Sequence, residues 1–500
     1  MSLPAQPFAA GVRPDAHEPV AQLKVAFVIN RIGVVDVLSL PLVAAIARER
    51  GHRVALVEYA PNPRKARAEL EALAPDIVAY SVTSNERDDY LAINRDLKKA
   101  LPFFAVFGGP LPTYSPELIR QESVDAICRG ESDLAFPQFL DTFGADAMYD
   151  VPNFSFQTPE QGVRENPLAD LVADLDAMPF PAREIVYAKS RFLALNPIKA
   201  FIAGRGCPYE CAHCFNSAYR RLYRGKGRML RTKSVSRLVA EIQDVRNKYP
   251  LTFVRFHDDV FGADKAWLAE FAERFPKEIG LPFSCYVRPN MVSDEHAQLL
   301  KKAGCHAAYT AIECGNERLR NQVLRRHLTN GQIITAADRL KKAGLRIFSF
   351  NMIGVPGETE GDIFETIALN EHIGVDFSDV SIFQPFPGTQ AYDYCKGHGF
   401  LDEEAPEFSD IYRASVLNID PALKQRIYVL HKLFTLMVDH PSTRRLRRLL
   451  PNSARFNGLL NVFYRFYYGY FLHRRIYASQ IPLTVQLRGA AIVLFSRDRI

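Results

Sequence analysis

The chain has no uncharged apolar run of the roughly 18 residues that a membrane-crossing helix needs. No segment is therefore expected to span a bilayer. Met1–Pro19 is rich in proline and alanine and holds no compact apolar stretch. Residues 1–22 read as a disordered lead, not a signal peptide. Cysteine is sparse: eight in 500 residues, three of them in one short stretch. That usage suits a reducing cytosol better than a disulfide scaffold, so the chain is placed in the cytoplasm. No G-x-G-x-x-G follows the first apolar strand, which argues against a bound dinucleotide. No RNA-binding fold is legible, and no nucleic-acid partner is expected. Acidic residues run out towards the end. Residues 421–500 hold 14 Lys and Arg against two Asp, a net of +12 in a chain of +6 overall, so residues 1–420 carry −6. The C-terminal segment is thereby marked for contact with something anionic.

What is present, 48% hydrophobic and 24% charged residues, is ordinary for a soluble globular chain of about two to four domains. It is organised around the stretch Gly206-Cys207-Pro208-Tyr209-Glu210-Cys211-Ala212-His213-Cys214. The spacing C-x3-C-x2-C lets a tight loop aim three thiolates at one metal cluster. Three ligands on a cubic iron–sulfur cluster leave one iron open to a substrate, whereas four-cysteine clusters are closed electron carriers. A zinc site would bring a second C-x2-C pair or histidines, and no second pair follows. Lys199–Ala203 reads as a buried strand, so the loop stands at a strand's C-terminal end, where barrel active sites lie. This stretch resembles the radical S-adenosylmethionine enzymes. The resemblance implies a [4Fe–4S] cluster on Cys207, Cys211 and Cys214. Its open iron chelates the methionine amine and carboxylate, and reduction yields a 5′-deoxyadenosyl radical. An electron donor such as flavodoxin or ferredoxin is implied as a partner.

Residues 23–145 alternate strands and helices, beginning with the apolar run Leu23–Ile29, and are expected to form a doubly wound, Rossmann-like α/β domain. Its ligand crevice belongs at the C-terminal strand ends. Those ends carry Ser81, Thr83, Gly108, Gly109, Gly130 and Glu131, small or polar residues that let a large cofactor approach the backbone. The set resembles the cobalamin-binding domain found ahead of many radical enzymes, in its Ser-x-Thr strand end and its Phe-Gly-Gly-Pro turn. It departs from other cobalamin proteins in one respect. The D-x-H-x-x-G motif that supplies a histidine to cobalt is absent, and its place reads Arg31-Ile32-Gly33-Val34-Val35-Asp36. Cobalamin is therefore expected with no protein histidine on its lower face. Residues 146–194 read as a connector punctuated by proline at Pro179 and Pro181.

Residues 195–400 repeat strand and helix six times, which suits a partial (βα)6 barrel. Polar groups recur at the strand ends. Asp258 and Asp259 stand where the resembled family engages the methionine amine or the substrate. Arg288 is a candidate for the methionine carboxylate. Glu313 accepts from two hydroxyls and so suits a ribose. Gly354 and Gln384 match positions whose backbone frames the adenine. His213 reads as a loop-packing residue. Cys285, Cys305, Cys314 and Cys395 share no spacing and read as core or barrel thiols.

Residues 401–500 break the alternation and read as a helical C-terminal domain. Arg444, Arg445, Arg447 and Arg448 precede an aromatic run from Phe456 to Tyr477. Three readings stay open: a cap packed on the barrel, an interfacial helix on an anionic membrane, or arginines and rings that hold an anionic or flat substrate. The second makes the protein peripheral to a membrane.

The resemblance thus implies a cobalamin-dependent radical S-adenosylmethionine enzyme, most simply a methyltransferase acting on an unactivated carbon of a small-molecule or lipid-like substrate. Two alternatives keep the fold: a radical cyclase or rearrangement enzyme of the anaerobic porphyrin-ring type, and a non-enzymatic cobalamin or redox sensor.

Overall fold

β1 (Lys24–Ile29) is KVAFVI, buried along its length, and its apolar run pairs in parallel with a strand on each side. A strand that is apolar on both faces needs cover on both faces, which is the condition of a parallel sheet. The computed structural model describes residues 22–158, 162–401, 411–412, 414–449, 454–477, 479 and 481–495. The expected lead lies outside these but for its last residue. The chain forms two units, one of residues 1–191 with 223–228, the other of residues 192–222 with 229–500.

The first unit holds a seven-stranded sheet. β2 (Arg53–Glu58), β3 (Ile77–Ser81), β4 (Phe104–Gly108) and β5 (Ala126–Cys128) join β1 in parallel, and β6 (Phe154–Thr158) and β7 (Gly162–Glu165) follow in antiparallel sense. The order is β2-β1-β3-β4-β5-β6-β7, so the winding reverses between β1 and β3 and opens a crevice there. The hairpin β6–β7 falls inside the stretch expected as a connector. Alternation explains it: Phe154 and Phe156 turn inward onto Phe139, with stacked rings at 4.7 Å for Phe154. Between β4 and β5 the chain makes a tight turn, Pro116–Arg120. A short helix, Pro110–Tyr114, starts directly at the Gly-Gly-Pro turn.

The second unit holds six parallel strands in the order β15-β14-β13-β12-β11-β8. They are β8 (Ile198–Phe201), β11 (Phe253–Phe256), β12 (Phe283–Val287), β13 (Cys305–Glu313), β14 (Arg346–Ile353) and β15 (Phe377–Ile382). β9 (Gly204–Arg205) and β10 (Arg231–Thr232) form a small antiparallel pair behind the cysteine stretch. Parallel order puts every C-terminal strand end on one rim of a curled half-barrel. The outer face is covered by helices, in a core that includes Phe256, Leu268, Phe271, Leu300 and Leu340. Well-formed caps start them. Ser234, Asp264, Ser293, Thr329 and Thr359 each accept from amides of the first turn, and the last two close capping boxes.

The inner face is aromatic. Tyr309, Phe348 and Phe377 line it, with Tyr286 and Phe350 beside them. The helix Asn457–Ile476 lies against this face. Tyr468 meets Phe377 edge-on at 5.2 Å, Ile476 is fully buried, and Tyr477 meets Phe253 at 5.5 Å. One face of the expected basic and aromatic segment thus packs on the half-barrel, with Tyr464 and Ile476 buried and Tyr468, Phe471 and Tyr477 half-buried. A second helix, Pro421–Asp439, packs Ile427, Leu430, Phe434 and Met437 against Ile353, Val380 and Ile382.

Candidate active site

The turn after β8 is fixed before any cofactor is considered. Asp258, at the end of β11, is buried and accepts from the amides of Ala203 (3.0 Å) and Gly204 (2.5 Å). Burial pushes its carboxyl up to about 7, against the pull of the two amides. Its geometry is that of a brace that holds the start of the cysteine loop. Further along, Ala212 donates its amide to Leu324 and accepts from Ala391. The loop is tied at its base and near its third cysteine.

Cys207, Cys211 and Cys214 line one cavity of about 310 Å³ at the C-terminal rim. Asp258, Asp259, Arg288, Glu313 and Arg326 line it too, with Tyr286 and Tyr309 beneath. Arg288 donates to the Cys211 sulfur at 3.1 Å, to the carbonyl of Arg326 and to Asn290, and its guanidinium lies 3.9 Å from the centre of the Tyr209 ring. Asp259 accepts from Asn216 at 2.8 Å. Burial raises the Cys207 thiol and pushes Cys214 up to about 12, so a bound metal must displace their protons. Among the described residues no three His, Cys, Asp or Glu stand close enough to share a single ion. A cubic cluster asks for something else, since each thiolate binds a separate iron. Three thiols around one cavity with a guanidinium at a sulfur fit that group.

Glu313 stands at φ 64°, a left-handed backbone that a residue with a side chain seldom adopts, and the β13–β14 register breaks beside it. The break turns the carboxylate into the cavity. It accepts from Arg326 at 3.1 Å, and His213 Nε2 lies at 3.4 Å. Burial alone raises such a carboxyl. His213, Arg326 and Arg288 outweigh it and hold Glu313 below the usual range, so it is ionised. His213, expected only to pack the loop, thus faces Glu313. Arg326 was not anticipated. Its signal in the sequence was the run Arg325-Arg326-His327, whose outer two residues also adopt positive φ and present Arg326 to the site. His257 lines the cavity as well. Burial, with Arg255 beside it, pushes its imidazole down to about 3, so it stays neutral.

Gly354 and Gln384 are not among the residues that line this cavity. A Cβ on Gly354 points at Ile427 of the Pro421–Asp439 helix, 3.3 Å away, and Gln384 donates to the carbonyl of Ala414. Cys285 and Cys305 are buried in the barrel's outer core, and Cys314 and Cys395 in a neighbouring cluster.

In the first unit, Ser81, Thr83, Gly108, Gly109, Gly130 and Glu131 gather at the ends of β3, β4 and β5. Two of the glycines have internal reasons. Gly109 sits at φ 93°, and a Cβ there would stand 2.8 Å from the Val82 amide. At Gly130 it would enter the Tyr223 ring. Thr83 donates to Asn85, and Glu131 accepts from the Val172 amide. Gly108 keeps an open approach, with nothing nearer than 3.6 Å. Ser81, Thr83 and Gly108 therefore fit a large ligand by shape and hydrogen bonding. The only histidine of this unit among the described residues is His52. It precedes β2, at the opposite end of the sheet, and accepts from the Leu23 amide. No described imidazole of this unit stands at the crevice.

A B12-type crevice in one unit and a three-cysteine half-barrel in the other define a cobalamin-binding radical S-adenosylmethionine enzyme of the methyltransferase-like kind, and the chain is one. Residues 201–369 match the radical SAM superfamily, and residues 25–140 match the B12 binding domain. The cofactors of the class are a [4Fe–4S] cluster, S-adenosylmethionine and cobalamin. An uncharacterised methyltransferase of Pyrococcus horikoshii is 27% identical, over 66% of this chain and 72% of that protein. The hopanoid C-3 methylase of Methylococcus capsulatus is 25% identical, over 71% and 68%. Two solved structures share the fold. TsrM from Kitasatospora setae, with cobalamin and a [4Fe–4S] cluster bound, has a TM-score of 0.63 at 15% identity, covering 77% of this chain and 80% of that one. OxsB, with aqua-cobalamin and S-adenosylmethionine bound, has 0.67 at 13%, covering 95% and 79%.

Proposed function

We propose that the chain transfers a methyl group to an unactivated carbon of a small-molecule or lipid-like substrate, with Cys207, Cys211 and Cys214 as the cluster ligands. One observation supports this most: the three thiols, Arg288 and the ionised Glu313 converge on a single cavity at the half-barrel rim. When bound, the cluster with S-adenosylmethionine supplies a hydrogen-abstracting radical, and cobalamin supplies the methyl group. The chain's own residues bind, orient and exclude water. Arg288 offers two donors to the methionine carboxylate. Glu313, held charged by Arg326 and His213, accepts from the ribose hydroxyls. Asp259 accepts from the methionine amine, and Asp258 keeps the cysteine loop in register. Tyr286 and Tyr309 close the floor against water. Ser81, Thr83 and Gly108 take the cobalamin side groups, and Gly109, Gly130 and Glu131 hold the shape of that crevice. Two relatives support the substrate class, the hopanoid methylase and a cytidylyl-2-hydroxyethylphosphonate methyltransferase of Streptomyces wedmorensis. A flavodoxin or ferredoxin fits as the electron donor.

The test is anaerobic reconstitution with iron, sulfide and cobalamin, then reduction with methyl-deuterated S-adenosylmethionine in extract from cells lacking the gene. About four irons per chain are expected, with 5′-deoxyadenosine and a deuterated product. Cys211→Ala should keep the fold and lose both products. Undiminished 5′-deoxyadenosine from that variant overturns the cluster assignment, and an unlabelled product overturns methyl transfer.

A further inference from the structure

The Asn457–Ile476 helix has two faces of opposite fate. Tyr464, Tyr468, Phe471 and Ile476 turn towards the protein and are buried or half-buried. On the other side, Phe456, Leu459, Phe463, Phe466 and Tyr470 recur every three or four residues and face solvent. Leu459 is 71% exposed and Phe466 61%. The next helix, Leu483–Phe495, adds Leu487, 62% exposed, one turn after Leu483, 68% exposed. Single exposed apolar residues are ordinary, but a continuous stripe along a 20-residue helix marks a contact surface. Its inner rings already fill the half-barrel, so the outer stripe has no folding role.

Charge selects the occupant. No Asp or Glu occurs between His440 and Arg497, while Arg445, Arg474 and Arg488 are exposed. Two copies of this face would oppose cation to cation, with no carboxylate to match. An anionic headgroup layer meets the arginines and admits the rings. Among the described residues no helix is long and apolar enough to cross a membrane, so the element lies along the surface. The arginines that stood out in the sequence contribute less than expected. Arg444 pairs with Glu371, Arg475 pairs with Asp439, and the side chains of Arg447 and Arg448 lie outside the described ones.

We infer that the outer face of the Asn457–Ile476 and Leu483–Phe495 helices is a docking surface for anionic lipid. Aromatic side chains seat at the headgroup level and arginines pair with phosphates. This goes beyond the methyl-transfer reading and stands or falls separately from it.

Co-sedimentation of the full chain tests it. The vesicles are phosphatidylcholine alone, or phosphatidylcholine with phosphatidylglycerol, each at low and high salt. The protein should pellet with the anionic vesicles at low salt, less at high salt, and stay soluble with the neutral ones. The double variant Leu459→Ser, Phe466→Ser removes two solvent-facing side chains and should bind about tenfold more weakly or worse, with unchanged circular dichroism and iron content. The variant Arg445→Gln, Arg488→Gln should lose the salt dependence. Equal recovery in the supernatant under every condition overturns the inference. So does equal pelleting of the apolar variant. So does a dimer, seen by sedimentation velocity, that the apolar variant dissolves while neither protein binds vesicles.

Discussion

Glu313 is the residue at which local cost and site chemistry meet. Its left-handed backbone costs about 1–3 kcal/mol in the absence of compensation, and the register break beside it forgoes regular pairing. Arg326 and His213 hold the carboxylate where the strand would otherwise turn it away. Glu313→Gln keeps the side chain's size and one acceptor but removes the charge that Arg326, Arg288 and His213 face. A charge-assisted hydrogen bond is worth about 1.5–3 kcal/mol. S-adenosylmethionine should therefore bind roughly tenfold or more weakly, with iron content unchanged. Equilibrium dialysis beside an iron count measures both. Undiminished affinity contradicts the ribose role, and lost iron makes Glu313 a structural support of the loop. The strand end and the acid were legible in the sequence. Arg326 was not, because it comes from the loop that follows the short helix Glu317–Gln322, and the spacing of residues 313 and 326 does not show that this loop returns to the strand end.

At the scale of elements, the strands read well because parallel strands are apolar on both faces and end in polar or glycine-rich turns. The six strand-end positions of the half-barrel follow from that pattern. The hairpin β6–β7 did not read, because the proline-punctuated stretch that holds it suggested a connector while its two-residue alternation was brief. The C-terminal helices read as basic and aromatic without showing which rings turn inward. That division depends on the barrel face they meet, which has no local signature. The loop after β1 bears on cobalt. Asp36 there accepts from Tyr187 at 3.0 Å and faces the buried Arg183, so its one acid is already engaged. With no imidazole in residues 31–36, and His52 at the far end of the sheet, cobalamin should bind base-off with no histidine on cobalt. Electron paramagnetic resonance of the Co(II) form should show no nitrogen splitting from an axial imidazole. Such a splitting in wild-type protein, lost on His52→Ala, would reverse the assignment.

The whole molecule carries buried groups whose titrations pull against each other. Burial raises Asp379 to about 7 and Glu358 to about 8, with Asp258 at about 7 beside the cysteine loop. Each ordinarily titrates near 4, so between about pH 4 and 8 the unfolded chain has lost these protons while the folded one keeps them. The unfolded state then binds fewer protons, and stability falls as pH rises. Three histidines act in the opposite sense. Burial lowers His257 to about 3 and His296 to about 4, and His431 falls well below the ordinary 6.5. Below pH 6.5 the unfolded chain takes up protons that the folded one refuses, so stability falls as pH drops. Between pH 4 and 6.5 the two sets offset one another. Above 6.5 only the carboxylates remain. Each contributes about 1.4 kcal/mol per pH unit within its window, which closes near pH 7 for Asp379 and Asp258 and near pH 8 for Glu358, so the cofactor-free protein should melt at falling temperature from pH 6.5 to 8. Asp379 belongs to the seam between the half-barrel and the C-terminal helix, next to Tyr468, and Glu358 accepts from the Gly354 and Val355 amides. Asp379→Asn and Glu358→Gln keep an acceptor oxygen and lose the ionisation, so each should flatten the decline, and the pair should flatten it further. Calorimetry across that range decides the matter: a melting temperature that is flat or rises from pH 6.5 to 8, or a slope unchanged in both variants, contradicts a stability set by these buried acids.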